Sequence, residues 1–82
     1  MIISPIHKEI EEYLRKRNLS RKFAKQVSFA KENIFHPSLN TELLEPKQMN
    51  IWSFRVDKKY RAIFIFRSKK SIEIIDVNNH YK

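Results

Sequence analysis

The chain reads as a two-layer α+β domain, ordered β-α-α-β-β-β, in which a helical hairpin covers one face of an antiparallel sheet. Three observations predict this. Residues 51–66, IWSFRVDKKYRAIFIF, hold two alternating apolar runs on either side of Asp57, Lys58 and Lys59, the pattern of an antiparallel hairpin with one buried face. Ile6, Ile10, Tyr13 and Leu14 recur at helical spacing, and Phe23, Val27, Ala30 and Ile34 make a second such stripe after a break at 18–20. Finally, 82 residues suffice for one domain, 1–82, with a single modest core shared by both layers, because a chain of this size buries only roughly 60–65% of the surface it exposes when unfolded.

The first strand is the apolar start MII, and Ser4 followed by Pro5 predicts a helix N-cap and first helical position, with the helix running to about Arg17. Asn18, Leu19 and Ser20 break it, and Ser20 is placed to cap a second helix reaching about Asn33. From 35 to 49 the period is lost, and Pro37 and Pro46 interrupt any helix. A segment of this length is expected either to pack as a functional loop or to turn helical near 41–45, and Leu39, Leu43 and Leu44 argue for packing. In the hairpin, Trp52, Phe54 and Val56 alternate with Ser53 and Arg55, while Tyr60, Ala62, Phe64 and Phe66 alternate with Arg61, Ile63, Ile65 and Arg67. Ser68, Lys69 and Lys70 then turn the chain into a last strand over 72–77. With no glycine, the turns fall to Asn18, Asn33, Asn40, Asn50, Asn78 and Asn79.

Composition narrows function. A 41% hydrophobic content with six Phe, three Tyr and one Trp describes a folded domain, not a disordered one. Seventeen Lys and Arg against nine Asp and Glu give a net charge of +8, which attracts polyanions or an acidic protein segment. The lack of cysteine removes disulfides, thiolate zinc sites and a cysteine nucleophile, and the lack of glycine removes phosphate-cradling glycine loops. No run nears the roughly 18 apolar residues of a membrane span, so a cytoplasmic protein without a membrane role is expected. His7 and His36 have no partners at metal-ligand spacing, and neither a metal nor another cofactor is expected. An arginine inside a β-rich run must face solvent, a carboxylate or an anionic ligand, which directs attention to Arg55, Arg61 and Arg67. For Arg61 the structural alternative to a ligand is a salt bridge to Glu73 or Asp76.

FHPSL (35–39), IWSFRV (51–56), YRAIF (60–64) and the closing IEIIDVNNHYK stand in the order and at the spacing that resemble the RelE/ParE toxin superfamily, with RelE-like and YoeB-like patterns nearest. The resemblance covers nearly the whole chain. It implies a toxin of a toxin–antitoxin pair, usually a metal-independent, ribosome-dependent endoribonuclease that cuts messenger RNA and so inhibits translation. It implies three partners: a cognate acidic antitoxin protein, the ribosome and messenger RNA. By position, Arg61 matches the strand arginine that contacts the scissile phosphate, His80 and Tyr81 match a C-terminal His-Tyr pair, and Arg55 matches a groove arginine. The glutamate of such sites is open between Glu42 and Glu45. Asn78 and Asn79 stand where many active members carry an arginine. The alternatives are a ParE-like inhibitor of DNA gyrase and a catalytically silent relative that binds an antitoxin or nucleic acid.

The chemistry suits the residues. Cutting RNA without a metal requires the 2′-hydroxyl to lose a proton, the phosphorane to be stabilised and the 5′-oxygen to gain a proton. Arginine's planar fork grips two phosphate oxygens and stays charged, which fits Arg61, and a histidine with a pKa near about 6.5 fits proton transfer by His80. Tyr81 offers a face for base stacking. Lys58 and Lys59 at one turn and Lys69 and Lys70 at the other, with Arg55 and Arg67, are the expected RNA-binding cations.

Overall fold

The computed structural model describes residues 1–79. Its elements are β1 (Ile2–Ile3), α1 (Lys8–Lys16), α2 (Ser20–Glu32), β2 (Glu42–Leu43), β3 (Trp52–Arg55), β4 (Arg61–Ser68) and β5 (Ser71–Asn78), and the strands form one sheet in the order β1-β5-β4-β3-β2. This is the α+β class that the sequence predicts, with two refinements. β1 runs parallel to β5, which makes the sheet mixed; the chain passes through both helices before it returns, as a parallel pairing requires. Residues 42–43, expected in a loop or a helical turn, form the edge strand β2 antiparallel to β3. Among the described residues no helix is long and apolar enough to cross a membrane.

Helix α1 starts at Lys8, later than Ser4-Pro5 predicts. The Ser4 N–H donates to the Ile72 carbonyl at 3.0 Å and prolongs the strand, and Pro5, which has no N–H, ends that pairing. Ser20 opens α2 without acting as a side-chain cap; Leu19 precedes it. The segment 35–49 is ordered by two short 3-10 turns, Pro37–Leu39 and Lys47–Met49, which end on Asn40 and Asn50. Asn18, Asn40 and Asn50 all have positive φ (57°, 45° and 54°), so asparagine does here what glycine does elsewhere.

The core lies between the helical hairpin and one sheet face. Leu14, Leu39, Phe54, Phe64, Ile72, Ile74 and Val77 are fully buried, and the rings of Phe23, Phe54 and Phe64 run in contact at centroid distances of 6.5 and 5.8 Å. Val27 is only half-buried, and Gln26 takes the deep position beside it. Its amide donates to the Arg55 carbonyl at 2.7 Å and the Ser38 carbonyl at 3.0 Å, which ties α2 to the end of β3 and to the 35–40 segment. On the opposite flank Glu73 accepts from the His7 ring at 2.8 Å and from Arg67 Nε at 2.7 Å, which joins the lead-in to α1 to β5 and β4. His7 is therefore structural, and these two partners hold the Glu73 carboxyl below its ordinary value.

A carboxyl with a depressed pKa stabilises the fold above its unfolded value and ceases to do so as pH falls through the folded one. The melting temperature should therefore drop as pH is lowered below 4.5, Glu73's ordinary value. Glu73→Gln should melt lower than the wild type at neutral pH, and the gap should close in acid; a gap constant with pH would contradict the assignment.

Candidate functional site

Three strands bring the site together. Glu42 on β2 pairs with Ser53 on β3, and β3 places Arg55 opposite Arg61 on β4. Residues directly opposite one another share a sheet face, so Glu42, Ser53, Arg55 and Arg61 all belong to the face away from the main core. The segment leading into β2 folds over this face and buries part of it: Ser53 is 0% and Arg61 only 7% exposed. Arg61 is held on several sides. Its Nε donates to Ser53 Oγ at 2.9 Å, and its Nη2 donates to the Asn40 carbonyl and, at 3.4 Å, to the Ser53 carbonyl. The Glu42 carboxylate lies 3.9 Å from Nη2, with nearly half its side chain in solvent.

The electrostatics oppose one another. Burial pushes the Arg61 guanidinium down from its ordinary value; the Glu42 carboxylate works against that, and the Arg55 cation adds to it. Arginine starts so far above neutrality that it remains charged. The array is thus a fixed, part-desolvated cation with an accessible carboxylate beside it. It can bind an oxyanion next to a proton acceptor. The alternative partners Glu73 and Asp76 do not pair with Arg61: Glu73 is taken by His7 and Arg67, and Asp76 accepts from Asn78 Nδ2 at 2.8 Å.

The other predicted residues divide by position. Arg55, Lys58 and Lys59 are exposed at the β3–β4 end near Arg61. Asp57 builds the turn there, with Oδ1 accepting from the Lys59 and Tyr60 N–H groups at 2.8 Å each. Partial burial works to raise the Asp57 carboxyl, but those two bonds and the Lys22 ammonium outweigh it and hold it below its ordinary value. Lys69 and Lys70 are exposed at the other turn, and Arg67 precedes them in engagement with Glu73. β4 separates the two ends by roughly 23 Å at about 3.3 Å per residue, so no one phosphate meets both clusters. Asn78 stands opposite Arg61 in the β4–β5 register, so the end of β5 does reach the start of β4. His80 and Tyr81 lie outside the described residues. Among the described residues no cluster of three or more His, Cys, Asp or Glu could hold a metal ion.

Comparison with solved structures gives full-length matches. A YoeB/ParE toxin from Agrobacterium tumefaciens superposes with a TM-score of 0.72 at 18% identity, covering 98% of this chain and 96% of that one. The chain has the fold of the YoeB/ParE toxins. Two structures of a YoeB–YefM complex from Staphylococcus aureus, one described as a heterotetrameric toxin–antitoxin assembly, match at TM-scores of 0.69 and 0.70, each at 18% identity and covering 98% of this chain and 94% of theirs. No protein-family model matches the chain, and no curated protein matches its sequence.

Within this YoeB/ParE fold, strand register does what sequence reasoning could not. It sets Glu42, rather than Glu45, beside Arg61, a choice left open by a segment without period. Ser53 and the Asn40 carbonyl were missed as partners of Arg61. Ser53 is visible as the polar residue in the Trp52–Phe54 alternation, but burial of that face is not. Ser53→Ala should remove the Nε acceptor of a buried cation and cost about 1–3 kcal/mol. Urea denaturation measures it, and a stability equal to the wild type's would show that Arg61 does not depend on this bond.

Proposed function

We propose that this chain is the toxin of a toxin–antitoxin pair and cleaves messenger RNA on the ribosome without a metal ion. The single observation that carries the reading is the Glu42–Ser53–Arg61 array: a buried cation fixed 3.9 Å from an accessible carboxylate on the YoeB/ParE fold. In the proposed reaction Glu42 accepts the 2′-hydroxyl proton, and the 2′-oxygen attacks the adjacent phosphorus. Arg61 stabilises the negative phosphorane, and the bond to the 5′-oxygen breaks as that oxygen gains a proton. The products are a 2′,3′-cyclic phosphate and a 5′-hydroxyl end. His80 is the proposed proton donor and Tyr81 the proposed stacking partner. Ser53 and the Asn40 carbonyl act by positioning Arg61, and Arg55 draws the flanking RNA backbone into place. The +8 charge suits both RNA and the acidic antitoxin that we propose as partner.

General-base catalysis contributes about 10²–10⁴ in rate, and a charge-stabilising donor about 10²–10³. Glu42→Gln should therefore slow messenger cleavage on translating ribosomes by about 10² or more, read by mapping of 5′ ends, and Glu45→Gln should leave it unchanged. Arg61→Lys should lose about 10², since an ammonium lacks the fork. Arg61→Ala is a weaker probe, because a buried side chain with these bonds also supports the fold. Wild-type protein that spares messenger but inhibits gyrase supercoiling would establish the ParE-like alternative. Inactivity in both assays would leave the catalytically silent relative.

A further inference from the structure

A second concave surface lies on the helix side of the β3–β4 turn. This groove measures about 370 Å³ and is lined by Lys22 and Lys25 from α2, Arg55 from β3, and Lys58 and Asp57 from the turn, Asp57 being the one carboxylate among the described residues there. Among the described residues that line it, four are cationic, drawn from three separate elements, and one, Asp57, is anionic. That anion is already committed, through Oδ1 to the turn backbone and through Oδ2, at 3.4 Å, to Lys22. The floor is rigid. Gln26, 8% exposed, clamps α2 to the Arg55 and Ser38 carbonyls through its amide nitrogen. Phe29 supplies an apolar wall and is itself fixed by the His36 ring stacked on it at 4.3 Å. The groove is therefore preformed, and binding an anion there requires little reordering of the backbone. The groove of about 410 Å³ between α1 and β5 has the opposite character, since among the described residues Glu9 and Asp76 line it without a lysine or arginine.

We propose that the cationic groove is a second RNA-backbone subsite, in which Lys22, Lys25, Arg55 and Lys58 hold phosphates of a strand that continues away from Arg61. The inference rests on the nuclease reading for the role of that strand, though not for binding itself. Arg55 belongs to both places: it lines the groove and stands opposite Arg61 in the ladder. A phosphodiester chain spans such neighbouring cationic points in sequence, and the ribose or base between two phosphates finds the Phe29 wall. At the far turn, Arg67 is paired with Glu73, while Lys69 and Lys70 are exposed.

The test is binding of a short single-stranded RNA, made uncleavable by 2′-O-methylation, to the full chain across a salt series. The double variant Lys25→Ala/Lys58→Ala should weaken binding about tenfold at low salt and reduce the log-log salt slope by about 1.4, at about 0.7 per phosphate for a single strand. Lys25→Glu should weaken it further. Both positions are exposed, and an unchanged melting temperature confirms that the fold is intact. Affinity and slope equal to the wild type would overturn the subsite. So would loss of poly-glutamate binding in the same variants with RNA binding unchanged, which would assign the groove to an acidic protein. Failure of the nuclease reading looks different: if the wild type cleaves no messenger while the groove variants still bind RNA more weakly than it does, the subsite stands and only the reaction is removed.

Discussion

The burial of one guanidinium organises this molecule's open sheet face. A cation at 7% exposure is costly unless its donors are met, and Arg61 meets them with a serine from β3, a backbone carbonyl from the segment before β2 and a carboxylate from β2 itself. The left-handed Asn40 lies where the chain turns toward β2 and presents its carbonyl to Arg61. The two-residue strand that follows is short, yet its register sets Glu42 beside Ser53. A loop that would otherwise wander is thus fixed by the same contacts that define the candidate site.

Much of the fold was legible because it rests on periodicity. The stripes through Leu14 and Phe23 and the alternation through Phe54 and Phe64 are requirements of a single small core, and each of these residues is buried. Less was legible where pairing decides structure. Ser4-Pro5 carries a helix-start signal, but the Ser4 N–H is taken by Ile72, near the other end of the chain. Residues 42–43 have no strand period of their own and become a strand because β3 offers an edge. In the site, Arg61 stood out as a charge within an apolar run, whereas its partner Glu42 and its acceptor Ser53 are set by register between strands, which no local pattern contains.

The hairpin also divides the positive charge by position. Cations at its two turns look alike in sequence, but β4 holds them at opposite ends. At one end Arg55 and Lys58 join Lys22 and Lys25 around a floor pinned by Gln26. At the other, Arg67 is drawn into the Glu73 and His7 network that braces the lead-in to α1. The same residue type therefore lines an open cationic surface in one place and contributes to internal cohesion in the other.

The central claim is that Arg61 and Glu42 act as one unit. A double-mutant cycle on messenger cleavage, with Arg61→Lys, Glu42→Gln and the pair together, measures this directly. Groups that act as a unit are non-additive, so the double variant should cleave about as slowly as the slower single variant. Rate losses that multiply fully in the double variant would mean that the two residues act independently, and would contradict the account.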